Sequence, residues 1–422
     1  MECLAIEGGH RLTGSVRVHG AKNAALPILA ASVLAHGESI LEDVPDLQDI
    51  RVMLTILSQL GANVEREGSA VRVDATQLRS TVVPEHLMRQ MRSSIFLMGP
   101  ILARYGQVRV SAPGGCSIGS RPIDLHLKGL QALGAVIEEK HGFIDCTAKG
   151  LRGANIYLDL PSVGATENLI MAAVFAEGTT VIGNAAREPE IVDLANYLNA
   201  MGAKIRGAGE ATVVIEGVER LEAKRYRIIP DRIVTGTLML AAAVTQGDVT
   251  LNNTNATHLG AVINKLRETG VRIDIEGDAM HVKSDGQIRP LDHIRTDYYP
   301  GFPTDLQSPF MALLTRASGS SMITESVFEG RYKHVSELRR MGAKVKVDLR
   351  TAFIEGVPEL TGAVVEATDL RAGAALILAG LAAKGTTCVE HLHHIDRGYE
   401  RVEELFGSLG AKMQRVKKES RT

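Results

Sequence analysis

Hydrophobic and polar positions along this chain state one two-part pattern six times. The first part is a run rich in Ala and Leu, apolar on nearly every face, that ends at a glycine. It spans 24–35 before Gly37, 169–176 before Gly178 and 372–383 before Gly385, with counterparts before Gly106, Gly247 and Gly319. A helix so uniformly apolar must be buried on almost all sides. The second part is an amphipathic helical stretch, such as 49–60 or 191–201, that ends at a glycine suited to a left-handed cap. These glycines are Gly61, Gly134, Gly202, Gly270, Gly342 and Gly410, at intervals of 73, 68, 68, 72 and 68 residues. After the first five comes an alternating strand, a polar turn and a second strand, as in 63–66 with 70–74 or 344–347 with 352–355. The pattern predicts an α/β (α+β) protein of six repeated β-α-β-α-β-β units, with helical interiors and sheets outside. At 422 residues the chain exceeds one core and divides into two or three domains.

The repeat breaks in one place. From the first glycine of each unit to the second the distances are 24, 28, 24, 23, 23 and 25 residues. The surplus of the second unit falls in a glycine-rich loop around Cys116, and a loop lengthened on a regular scaffold points to function. Arg121-Pro122 then opens a helix, since proline at the first helical position forfeits no hydrogen bond. A thiol near a helix start and five residues from an arginine sits where thiolate is favoured and anions collect.

Charge gathers at the starts of the apolar helices. Counting back 14 or 15 residues from each first glycine gives Lys22, Arg92, Gly164, Arg232, Asp305 and Arg371. Ordinary capping accounts for the acids: Thr304 and Gln307 match a capping box, and Asp231 and Asp369 read as first-turn acids. It does not account for Lys22, Arg92 and Arg371, because a cation opposes the dipole there. They point to an anionic ligand.

The composition is that of a globular protein, 45% hydrophobic and 23% charged, with net charge −2 and no Trp. That balance excludes a nucleic-acid surface, which needs a basic face and stacking platforms. No basic n-region leads into an apolar run, and no apolar run is long enough for a bilayer span, so membrane insertion is not expected. Four cysteines show no paired or metal-ligand spacing. Cys3, Cys146 and Cys388 lie in apolar, strand-like segments and read as inert core residues. The compartment implied is the cytoplasm.

Eight motifs together resemble one family. They are GAKNAALP (20–27), PGGCSIGSRPIDL (113–125), SVGATEN (162–168), EPEIVD (188–193), PDRI (230–233), FPTDLQ (302–307), TDLRA (368–372) and DRGYER (396–401). The chain is similar along essentially its whole length to the UDP-N-acetylglucosamine 1-carboxyvinyltransferases, a branch of the enolpyruvyl transferases with EPSP synthase-like folds. The resemblance implies a two-domain inside-out α/β barrel with three units per domain. The domains would be 22–229, carrying the cysteine loop, and 1–21 plus 230–422, with the active site in the cleft between them. The implied reaction moves the enolpyruvyl group of phosphoenolpyruvate to the 3-hydroxyl of UDP-N-acetylglucosamine with release of phosphate, the first committed step of peptidoglycan precursor synthesis. No metal and no cofactor is implied, because phosphoenolpyruvate is itself the activated donor.

Site roles carry over position by position. The resemblance makes Cys116, Asp305, Lys22 and Arg397 catalytic. It gives phosphoenolpyruvate to Lys22, Asn23, Arg121 and Arg397. It gives the nucleotide sugar to Arg92, Arg121, Pro122, Ile123, Asp124, Leu125, Ser162, Val163, Gly164, Asp305 and Val327, with Arg331 and Arg371 in support. Cys116 would protonate C3 and can add to C2, while Asp305 would accept the hydroxyl proton. Departures from the family pattern are Gln48 in place of a lysine, Gly330, Tyr332 and Lys333 around an intact Arg331, and Tyr298-Tyr299 before GFPTD. Three other readings compete: the shikimate-pathway transferase, which lacks the cysteine loop, a non-catalytic UDP-sugar-binding paralogue, and a cysteine hydrolase built on Cys116 and His126.

Overall fold

The computed structural model describes residues 2–111 and 123–417. Among these residues the strands form six principal sheets, one per repeat, and one short two-stranded pair. The third repeat shows the plan. Asn155–Tyr157 runs parallel to Thr179–Gly183, which pairs antiparallel with Thr212–Glu216, and Lys204–Arg206 completes the sheet beside it. The second repeat keeps only a parallel bridge, Val82 to Arg109, where the others have a first strand. The sheets are separate and open, so the barrel-like plan arises from repetition and not from one closed hydrogen-bonded cylinder.

The sixth repeat explains why only five unit glycines are followed by two strands. Its missing strand is Glu2–Glu7, which lies antiparallel to both Thr386–Glu390 and Lys412–Lys417. Two further strands are likewise supplied from a distance. Thr13–Arg17 runs parallel to Asp248–Asn252 in the fourth repeat, and Arg225–Arg227 runs parallel to Glu38–Glu42 in the first. Contacts accordingly separate two lobes: residues 20–111 with 123–229, and residues 2–19 with 230–417.

Each lobe has its own core around three apolar helices. In the first lobe these are Lys22–Ala31, Met98–Tyr105 entered through the 3-10 turn Arg92–Leu97, and Val163–Ala173. In the second they are Arg232–Val244, Gln307–Leu314 entered through the 3-10 turn Thr304–Leu306, and Leu370–Ala382. Every residue from Arg371 to Leu381 is buried, as the all-round apolar pattern requires. Each fully buried Leu or Ile contributes about 1.5–3 kcal/mol, so these interiors dominate the stability of the lobes. All six unit glycines have φ between +93° and +114°, a region where a side chain would be strained.

Local expectations need three corrections. Asp231 and Asp369 are N-caps and not first-turn acids, each accepting two backbone N–H bonds. The Thr304–Gln307 capping box does not form, because the Thr304 hydroxyl donates to Glu325 Oε2 at 2.9 Å. Cys3 and Cys388 are not independent core thiols but a disulfide. Ala5 faces Cys388 across the strands, so Cys3 lies one diagonal step away on the same face, a proximity hidden by 385 residues of sequence. Cys146 is the free, buried cysteine among the described residues, and burial pushes its thiol up to about 12, which leaves it unreactive.

A crosslink that closes so long a loop restricts the unfolded chain more than the folded one. Reduction, or Cys3→Ser, should cost about 2–4 kcal/mol of unfolding free energy. The expected readout is a lower denaturant midpoint with unchanged far-ultraviolet dichroism. Equal midpoints with and without reductant would mean that the two sulfurs are not linked.

Candidate active site

The helix starts bring the charged residues into two groups, one in each lobe. In the second lobe Asp305 occupies the 3-10 turn that opens a core helix, its side chain 23% exposed. Arg331 Nη2 donates to one of its oxygens at 2.5 Å and Arg371 Nη2 to the other at 2.7 Å. Both arginines are buried. Burial works against the charge on Arg371, but Asp305 foremost, then Tyr399 and Asp231, outweigh it and raise its pKa. The Arg331 guanidinium also lies 5.3 Å from the Phe328 ring centre, which fixes its plane. Asp305 is thereby held in one orientation by a charge-assisted bond to each oxygen.

Val327 stands on the turn after the strand Ser320–Thr324, and its N–H donates to Glu325 Oε1 at 2.8 Å. Arg397 follows the 3-10 turn Leu392–His394, and its positive charge contributes to the lowered pKa of His394 behind burial and His393. Its neighbour Asp396 is gripped by Arg415 at 2.5 and 3.0 Å. The departing residues are built in locally. The Tyr332 hydroxyl donates to the carbonyls of Ile323 and Arg350, and Tyr299 lies 5.6 Å from the Arg232 guanidinium.

In the first lobe Lys22 is the first residue of its helix, with Asn23 half-buried beside it. No side chain caps this helix, and Lys22 Nζ meets the buried Asp49 at 3.2 Å. Asp49 is itself in the first turn of Gln48–Leu60, where the dipole favours an acid. A cation set against one helix dipole is thus balanced by an anion that another dipole stabilises.

Arg92, Ile123, Asp124, Leu125, Ser162, Val163 and Gly164 fall on three neighbouring elements around His126. Ser162 caps the third core helix by accepting from the Ala165 N–H. Ile123 and Asp124 begin the helix Asp124–Ala132, which packs on that core helix. Asn168 ties the elements together: its Oδ1 accepts from the Gly99 N–H, and its amide nitrogen donates to the Ile95 carbonyl and to His126 Nδ1. His126 therefore carries its proton on Nε2, the nitrogen nearest Gly164. Burial, then the charge of Arg92, pushes His126 down to about 4. Cys116, Arg121 and Pro122 lie outside the described residues, as does the loop that the repeat lengthens.

Sequence reasoning missed Asp49, Asn168 and Glu325. Asp49 could have been found as a first-turn acid near a helix-start lysine, but no periodicity links positions 22 and 49. Asn168 closes the SVGATEN motif without a role being assigned to it, and Glu325 carries no signal of its own.

The solved structures give the class of the fold. The enolpyruvyl transferase NikO from Streptomyces tendae matches 98% of this chain and 99% of its own, with TM-score 0.90 and 28% identity. EPSP synthase from Acinetobacter baumannii, 20% identical with TM-score 0.77, shares the fold. The family described as EPSP synthase (3-phosphoshikimate 1-carboxyvinyltransferase) matches residues 6–406. UDP-N-acetylglucosamine 1-carboxyvinyltransferase 2 of Carboxydothermus hydrogenoformans is 56% identical, over 99% of this chain and 100% of its own length. The UDP-N-acetylglucosamine 1-carboxyvinyltransferase of Desulfosudis oleivorans is 51% identical over equal coverage. The chain belongs to the enolpyruvyl transferase family, in its UDP-N-acetylglucosamine 1-carboxyvinyltransferase branch.

The two buried histidines set an acid limit. His126, and His334 in the second lobe, are both held near 4 by burial against an ordinary 6.5. Between these values the unfolded chain binds the proton first, so stability should be lost as pH falls from 6.5 towards 4. His126→Gln should flatten this dependence when denaturant midpoints are measured across that range. An unchanged slope would mean that His126 is solvated.

Proposed function

We propose that this protein is the enzyme that transfers the enolpyruvyl group of phosphoenolpyruvate to the 3-hydroxyl of UDP-N-acetylglucosamine and releases phosphate. The observation that carries the reading is the Asp305 carboxylate, partly exposed at a helix start and fixed by two buried arginines. Family membership over the full chain supports it.

In this reading Lys22, Arg121 and Arg397, with Asn23 beside them, hold the phosphate and carboxylate of phosphoenolpyruvate. Arg92, Arg121–Leu125, Ser162–Gly164 and Val327 hold the nucleotide sugar. Cys116 delivers a proton to C3, and C2 becomes electron-poor. The sugar 3-hydroxyl attacks C2 and its proton passes to Asp305. The tetrahedral adduct then gives a C3 proton back to the thiolate left by the first step and expels phosphate, which restores the enol ether. Each placed acid or base contributes about 10²–10⁴-fold, and the arginines meet the charge on the phosphate without reorganising. The Lys22–Asp49 pair fits an anion site, since a buried lysine stays charged between turnovers only if something balances it.

The product places the enzyme in peptidoglycan precursor synthesis, and so in cell-wall formation, cell shape and division. Among the described residues no helix is long and apolar enough to cross a membrane. We place the enzyme in the cytoplasm, where phosphoenolpyruvate and nucleotide sugars are made. The Cys3–Cys388 disulfide is the feature that stands against a strongly reducing compartment.

Phosphate release from phosphoenolpyruvate should require UDP-N-acetylglucosamine and should not respond to shikimate 3-phosphate. Lys22→Ala, Asp305→Ala and Cys116→Ser should each lower turnover by about 10²-fold or more. Cys116→Asp, which keeps an acid, should retain activity yet escape an epoxide phosphonate that alkylates the thiol, as read by mass spectrometry. Sugar-independent phosphate release, or a fully active Cys116→Ser protein, would refute the mechanism.

A further inference from the structure

Glu325 is buried to 1% exposure, and its carboxylate has no direct part in the chemistry above. It nonetheless accepts four hydrogen bonds. Oε1 accepts from the Thr296 hydroxyl at 2.8 Å, the Val327 N–H at 2.8 Å and the Phe328 N–H at 3.0 Å. Oε2 accepts from the Thr304 hydroxyl at 2.9 Å. Thr296 adds a second tie, its oxygen accepting from the Ser326 N–H at 2.8 Å. The Glu325 N–H is held in turn by the Arg350 carbonyl at 2.8 Å.

These partners fall on three pieces of chain. Thr296 and Thr304 bracket the loop 297–303, so one side chain pins both of its ends. Thr304 is the residue before Asp305. Val327 and Phe328 form the turn that leads to Arg331, and the Phe328 ring lies against the Arg331 guanidinium. One carboxylate therefore fixes the backbone on both sides of the Asp305–Arg331 pair. Four donors on a buried carboxylate resist exchange with water, and each charge-assisted bond is roughly twice as strong as a neutral one. The abandoned capping box fits this account: Thr304 gives its hydroxyl to Glu325 in place of its own helix.

We infer that Glu325 is a positioning residue of the transfer reaction, setting the Asp305 carboxylate and the Val327 backbone against the sugar. It acts through those two groups and touches no substrate. The inference deepens the proposed function and rests on it.

Three variants separate positioning from bulk stability. Glu325→Ala frees all three pieces. It should lower kcat by about tenfold to a hundredfold, the effect of misplacing a reacting group. It should also raise KM for UDP-N-acetylglucosamine while leaving KM for phosphoenolpyruvate within twofold. Glu325→Gln should recover most of that loss, because its oxygen can keep the three Oε1 donors while its amide donates to a rotated Thr304 hydroxyl. Thr304→Val removes a single bond and keeps the shape, so it should reproduce part of the kcat loss even if Glu325→Ala folds poorly. In an Asp305→Ala background, Glu325→Ala should lower kcat by less than threefold further. Full additivity there, or a Thr304→Val protein with unchanged kcat, would overturn the inference. Phosphate release by the unmodified protein is measured first and tests the functional reading alone. Should that fail, a crystal structure of Thr304→Val decides the positioning claim: Asp305 displaced from Arg331 and Arg371 supports it, and an unmoved pair refutes it.

Discussion

A helix with no polar face has to be surrounded, and the architecture follows from that constraint. Each repeat carries one such helix, and three of them in a lobe shield one another only in part. The remaining exposure is closed by sheets whose outer faces alternate into water. Because the interiors are helical, the ends of the core helices are where charge can be accommodated most cheaply. Lys22, Arg92, Arg232, Asp305 and Arg371 stand at those ends, while Glu167 is a buried acid within one of the helices.

The same constraint decides how much a sequence reveals. The all-round apolar runs, the glycine caps and the strand pairs each depend on neighbours within a dozen residues, and all were legible. The six positive-φ glycines stand where the spacing put them. What could not be read depends on distant chain. The place of Glu2–Glu7 in the sixth sheet, the Cys3–Cys388 link and the Lys22–Asp49 pair join residues whose sequence contexts say nothing of each other. The capping box at Thr304 failed for a related reason: a local motif met a buried carboxylate and the carboxylate won.

Cations at helix starts point to an anionic ligand, and the structure shows what balances them meanwhile. Lys22 and Arg371 each face a carboxylate of their own lobe, Asp49 and Asp305. These pairs keep buried cations charged in the absence of any ligand. Each pair leaves its site close to neutral, so neither cation stands in an uncompensated field. Arg92 acts on a neighbour instead: its charge, after burial, helps keep the His126 imidazole neutral.

The remote origin of the strand Glu2–Glu7 bears on how the chain is made. During synthesis the lobe formed by 20–229 has all its strands once Arg225–Arg227 has emerged, and it can close while the remainder is still being translated. The other lobe cannot. Its earliest strand leaves the ribosome first and has to wait for Thr386–Glu390 and Lys412–Lys417, the last described strands of the chain. Throughout that interval Cys3 is a free thiol on an unpaired β-strand, so nascent chains are open to mispairing at one end while half the protein is already folded.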